Sequence, residues 1–111
     1  MRDNNTGNDQ AKKHFIIKLI PPRPTFAQDM TEEERKIMGE HSIYWRDMAA
    51  RGIALVYGPV LDSGGAYGLG IIEAETENQA LSLAEGDPAV KMGLVKVEIS
   101  QMMAILGKKM L

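Results

Sequence analysis

Thr31–Gly52, TEEERKIMGEHSIYWRDMAARG, is the clearest helix in the chain, and the rest of the sequence is arranged around it. Thr31 can cap the first turn, with Glu34 at the reciprocal position of a capping box. The run Glu32 to Glu34 suits the positive end of the helix dipole, and Gly52 can adopt the left-handed conformation that ends a helix. Ile37, Met38, Tyr44, Trp45, Met48 and Ala49 recur at spacings of three and four, which predicts one buried face. His41 falls on that face, four residues after Ile37 and four before Trp45. An ionisable side chain thus stands where hydrocarbon is expected.

Upstream, His14–Ile20 (HFIIKLI) predicts a strand with Phe15, Ile17 and Leu19 on one face. The other face carries Ile16, Lys18 and Ile20, so an interior position is expected. Pro21-Pro22-Arg23-Pro24 stops the strand, since proline cannot donate to a ladder, and Thr25–Met30 reads as a loop. Downstream, Ile53–Val60 (IALVYGPV) predicts a second strand, and Pro59 late in it marks either an edge strand or its frayed end. The turn-rich Leu61–Ala66 joins it to a third strand, Tyr67–Glu75, as a hairpin. Gly68 and Gly70 share one face of that strand and leave room for something to approach closely.

Thr76 and Gln79 repeat the capping-box chemistry ahead of a second helix through Glu85, with Ala80, Leu81, Leu83 and Ala84 on its buried side. Asp87 is placed to cap a short turn that begins at Pro88. Gly93–Ser100 predicts the last strand, and the methionine-rich Gln101–Leu111 shows no clear pattern.

The order is β-α-β-β-α-β, the α+β ferredoxin-like arrangement, with both helices on one face of an antiparallel sheet. The opposite face would be bare although the strands are apolar on both sides. A homodimer with its sheets face to face would cover it, as a dimeric α/β barrel; the alternative is that the C-terminal tail covers the open face. With 111 residues the chain is long enough for one domain, read as residues 14–111 behind a flexible tail, residues 1–13.

Composition narrows the function classes. Thirteen basic and fifteen acidic residues, with no sustained run of one sign, argue against a nucleic-acid partner. No apolar run reaches the length of a membrane span, and the polar start MRDNNTGNDQAKK lacks a hydrophobic export region, so a cytoplasmic protein is expected. The absence of cysteine excludes disulfides, thiolate metal sites and cysteine nucleophiles. Two histidines, His14 and His41, without ligand spacing give no reason to expect a metal. No cofactor motif is present, since GGAYGLG precedes a strand rather than a helix.

Two readings of His41 stand open on pattern alone: a neutral core histidine satisfied by hydrogen bonds, or a general acid or base. Asp87 is an N-cap that could also orient an imidazole. Arg23 is either a surface arginine in a rigid loop or an anion clamp at a cleft mouth. Ser63, beside Gly64 and Gly65, could bind an anion through backbone amides, although a plain turn is the simpler reading. Trp45 and Tyr57 are candidates for core or pocket wall.

The chain resembles the YCII-related (YciI-like) domain family from Phe15 to about Ile99. The resemblance rests on PPRPTF after the first strand, Glu40-His41-x-x-Tyr44-Trp45, GIALVYGP, the glycine-rich third strand and Gly86-Asp87-Pro88-Ala89. It implies a dimeric α/β barrel with a histidine and an aspartate in a pocket between helix and sheet, mapped onto His41 and Asp87. One branch of that family looks like a dehydrochlorinase of a chlorinated hydroxyquinol, and similar folds include muconolactone isomerase.

The expectation is therefore a cofactor-free lyase or isomerase of a small, anionic organic molecule. In it His41 moves a proton, Asp87 fixes its tautomer, and Arg23, Trp45, Tyr57 and Ser63 contact the substrate. The competing expectation is a non-catalytic ligand-binding or dimerisation module, forming a homodimer or a higher oligomer.

Overall fold

The structure, a computed structural model, describes residues 12–105. Eleven residues of the expected N-terminal tail, 1–11, and the end of the methionine-rich segment, 106–111, lie outside the described residues.

Strand β1 (Lys13–Ile20) is interior, antiparallel to β3 (Tyr67–Ala74) on one side and to β4 (Lys96–Met102) on the other. Strand β2 (Ala54–Val60) pairs only with β3, so the order is β2-β3-β1-β4 and Pro59 lies on an edge strand. Four antiparallel strands with the connecting helices give the α+β, ferredoxin-like arrangement expected from the element order.

Register assigns the two faces. Phe15 pairs with Ile72, Ile17 with Gly70 and Leu19 with Gly68, and all three β1 side chains are buried under the helices. A second row runs across the opposite face, where Ile71 is the partner of both Ile16 on β1 and Val56 on β2. A bulge between Ala54 and Val56 lets β2 change its stagger there.

Helix α1 is a single turn, Phe26–Asp29, in the segment expected to be a loop. The correction has a physical cause: Arg23 donates from Nε to Asp29 Oδ1 (2.8 Å) and from Nη2 to the Asp29 carbonyl (3.0 Å), closing the turn. Arg23 also forks onto both oxygens of Glu34 (3.1 and 2.8 Å), tying this turn to the next helix. Phe26 seals it into the core.

Helix α2 (Glu32–Ala50) begins with the expected capping box. Thr31 Oγ1 accepts from the Glu34 amide, and Glu34 Oε1 accepts from the Thr31 amide. It ends in a Schellman motif: Gly52 at φ 77° donates to Ala49, and Ile53 to Met48. Trp45 and Met48 are buried, whereas Ala49 is exposed, contrary to the expected stripe. Helix α2 packs against β2 and the short helix that follows Asp87, and Ala49 lies off the face they cover.

Helix α3 (Glu77–Glu85) is capped by Thr76 through the Gln79 amide, but the Gln79 side chain accepts from Glu75, so the reciprocal half of the box is absent. Ala80 and Ala84 form its buried edge, with Leu81 and Leu83 half-buried. Helix α4 (Pro88–Lys91) is the expected short turn behind Asp87. β4 starts at Lys96 and runs to Met102, later than expected, because the α4 turn holds Leu94 and Val95 through bonds to the Ala89 carbonyl.

The carboxyl of Glu34 is held down to about 2, first by Arg23 and then by the Thr31 amide. Its folded value lies below the ordinary one near 4.5, so its stabilising contribution is complete above about 4.5 and disappears as the pH falls through about 2. Amide-exchange protection of the α1 turn, corrected for intrinsic rate, is expected to fall across that window. Glu34→Gln should flatten most of the pH dependence.

Candidate active site

Asp87 is the only fully buried ionisable side chain among the described residues. Its carboxylate is satisfied three times. Oδ1 accepts from the Ala89 amide (2.8 Å), the cap that starts α4. Oδ2 accepts from Trp45 Nε1 (2.8 Å) and faces His41 Nδ1 at 2.6 Å. A buried carboxylate is costly unless so paired. Because an ionised carboxylate only accepts, Nδ1 of His41 is assigned as the protonated nitrogen. Nε2 then carries the lone pair of the neutral ring.

Sequence explains why these groups meet. His41 and Trp45 are one helical turn apart on α2, so both reach the same point. Asp87 arrives from the α3–α4 junction, which Tyr44 fastens to α2 by donating its hydroxyl to the Leu83 carbonyl (2.6 Å). Burial, and then the charge of Asp87, push the Tyr44 phenol above its ordinary range, so it remains a donor.

The indole of Trp45 needs space on the sheet, and Gly70 supplies it. A Cβ at Gly70 would stand 2.6 Å from Trp45 Cη2, closer than packed carbon atoms approach. Beyond it the ring of Tyr57 lies with centroids 5.7 Å apart.

His41 retains 19% side-chain exposure because it opens on a pocket of about 350 Å³. Met38, Ser42 and Trp45 of α2 form one wall, and Tyr57, Pro59, Tyr67 and Leu69 of the β2–β3 hairpin another. Phe26, Ala27 and Met30 close the α1 side. The walls are mostly hydrocarbon, and among the described residues His41 is their sole nitrogen base.

Of the candidate residues, His41, Trp45 and Tyr57 line the pocket, and Asp87 lies directly behind His41. Arg23 does not line it. Its guanidinium is bound to Asp29 and Glu34, which hold it charged and raise its pKa further, so the anion clamp is not formed. Ser63 is also absent from the lining; Asp62 organises that loop by accepting from the Gly64 amide. Sequence reasoning missed Ser42 and the walls from Phe26 and Met30, the latter two because their segment reads as a loop. It read Trp45 as core or pocket wall in contact with substrate and missed its N–H, which four-residue spacing from His41 places beside the same acceptor.

Among the described residues no group of three His, Asp or Glu side chains could hold a metal ion, and no helix is long and apolar enough to cross a membrane.

The family model described as "YCII-related domain" matches residues 15–103. A solved structure of 5-chloro-2-hydroxyhydroquinone dehydrochlorinase from Burkholderia phenoliruptrix, in complex with 2,5-dihydroxybenzoquinone, is similar in fold. The TM-score is 0.59 at 23% identity, covering 79% of this chain and 92% of the other. No curated protein matches the chain.

Gly70→Ala is expected to push the indole off the sheet and to cost about 1–3 kcal/mol, the range for overpacking a core. Thermal unfolding and a red shift of Trp45 fluorescence would register it, and unchanged values would show that the close approach does not constrain the ring.

Proposed function

The chain belongs to the YCII-related domain family, and from that premise we propose that it is a small-molecule enzyme of lyase or isomerase type that works by proton transfer at His41. The observation that carries this reading is the 2.6 Å contact between Asp87 and His41 at the wall of an open pocket.

In the proposed reaction Nε2 of His41 takes a proton from the substrate. The electron pair left behind either forms a π bond as an anionic leaving group departs from the neighbouring atom, or is reprotonated elsewhere in an isomerisation. Asp87 fixes the tautomer that leaves Nε2 free and stabilises the imidazolium, the role a carboxylate has in other histidine pairs. The reaction as proposed needs no cofactor.

The pocket argues for a flat, largely apolar substrate. Among the described residues its lining includes no lysine or arginine, so of these His41 is the cationic partner an anionic group would meet. Tyr57, backed by the buried Trp45 ring, offers aromatic surface for a planar ring. Hydroxylated, halogenated aromatics of the kind named for the similar structure fit this chemistry.

The reading includes a homodimer. Ile16, Val56 and Ile71 form an apolar row across the sheet face opposite the described helices, and a second copy offers the matching surface.

Chloride release from 5-chloro-2-hydroxyhydroquinone and a panel of related phenols tests the activity. His41→Ala should remain folded and lose about 100- to 10,000-fold in kcat, the usual contribution of a positioned acid–base group. Equal turnover by both proteins would reject the role of His41. Saturable binding of 2,5-dihydroxybenzoquinone without turnover of any member would point to a ligand-binding module. Sedimentation velocity should show a dimer that Ile71→Glu converts to monomer; a wild-type monomer would reject the sheet-to-sheet contact.

A further inference from the structure

The carboxylate of Asp87 is shared unequally. Oδ1 has one partner, the Ala89 amide, whereas Oδ2 has two, His41 Nδ1 at 2.6 Å and Trp45 Nε1 at 2.8 Å. The indole N–H therefore competes with the imidazole for the same oxygen. It also reaches this oxygen only because Gly70 leaves the ring room to lie on β3.

We propose that Trp45 is a positioning residue that sets the basicity of His41 through Asp87. By donating to Oδ2, the indole draws negative charge away from the contact with His41. It thereby limits how strongly Asp87 favours the imidazolium, and keeps the ring more easily able to give up its proton than a histidine–aspartate pair alone. A buried indole N–H needs an acceptor, and the one it takes here is the same oxygen that the imidazole uses, which couples the two rings through one carboxylate.

The other charged or titratable groups around His41 leave this effect to Trp45. Tyr57 lines the pocket with its ring against Trp45, and the Tyr67 ring lies under Lys18 Nζ, 4.7 Å from its centroid. Glu40 and Tyr44 flank it on α2, and Tyr44 is engaged with the Leu83 carbonyl. On the α1 side Asp29 and Glu34 are both ion-paired with Arg23.

The inference concerns the pair itself, so it is tested without a substrate and can fail while the proposed activity stands. The His41 ring is titrated by NMR in the full chain, in Trp45→Phe, and in a protein with benzothienylalanine at position 45. That last side chain keeps the indole shape and lacks only the N–H. A hydrogen bond to a charged group is strong enough that its loss should raise the His41 midpoint by about one pH unit.

The benzothienyl protein decides the matter, because its packing is preserved even if Trp45→Phe leaves a hole or fails to fold. A rise in its midpoint supports the proposal. An unchanged or lowered midpoint there overturns it and leaves Trp45 a packing residue.

Discussion

The burial of the Asp87 carboxylate is the constraint from which the site follows. A charge removed from water must be met by donors, and three are brought to it from two parts of the chain: an amide of α4, and an indole and an imidazole of α2. The cost of leaving any one unpaired is what binds the α3–α4 junction to the middle of α2. The same arrangement orients His41, so the demand for satisfied polarity and the geometry of the pocket are one requirement.

A second requirement is steric. Trp45 can serve Asp87 only if its ring lies against the sheet, and the sheet accepts it only where β3 has no side chain. Residues far apart in sequence, Gly70 and Asp87, thus act on one indole from opposite sides. The α1 turn, drawn in by Arg23 and sealed by Phe26, then completes the pocket wall. Charge is used for folding at that edge and for His41 in the interior, which is why the pocket itself carries so little.

Much of this was legible in the sequence. The period-two strands, the Thr31–Glu34 box and Gly52 define their elements locally, so the element order and the antiparallel sheet followed from pattern. Gly68 and Gly70 announced a close approach, and the structure identifies the Trp45 ring as what approaches Gly70. What pattern could not supply was partner choice over distance. Arg23 in a proline-bound loop looks free until Asp29 and Glu34 are seen beside it, and the same contacts make a helical turn of a segment that reads as a loop. The contact between His41 and Asp87 spans 46 residues, and in sequence it was supplied by family resemblance rather than by periodicity.

The account turns on which nitrogen of His41 holds the proton when the ring is neutral. Nitrogen-15 NMR of the imidazole above its midpoint measures this directly. The account requires the proton on Nδ1, against Asp87, with Nε2 bare toward the pocket. A neutral ring protonated on Nε2 would mean that Asp87 does not orient it, and the proton-transfer site would be contradicted.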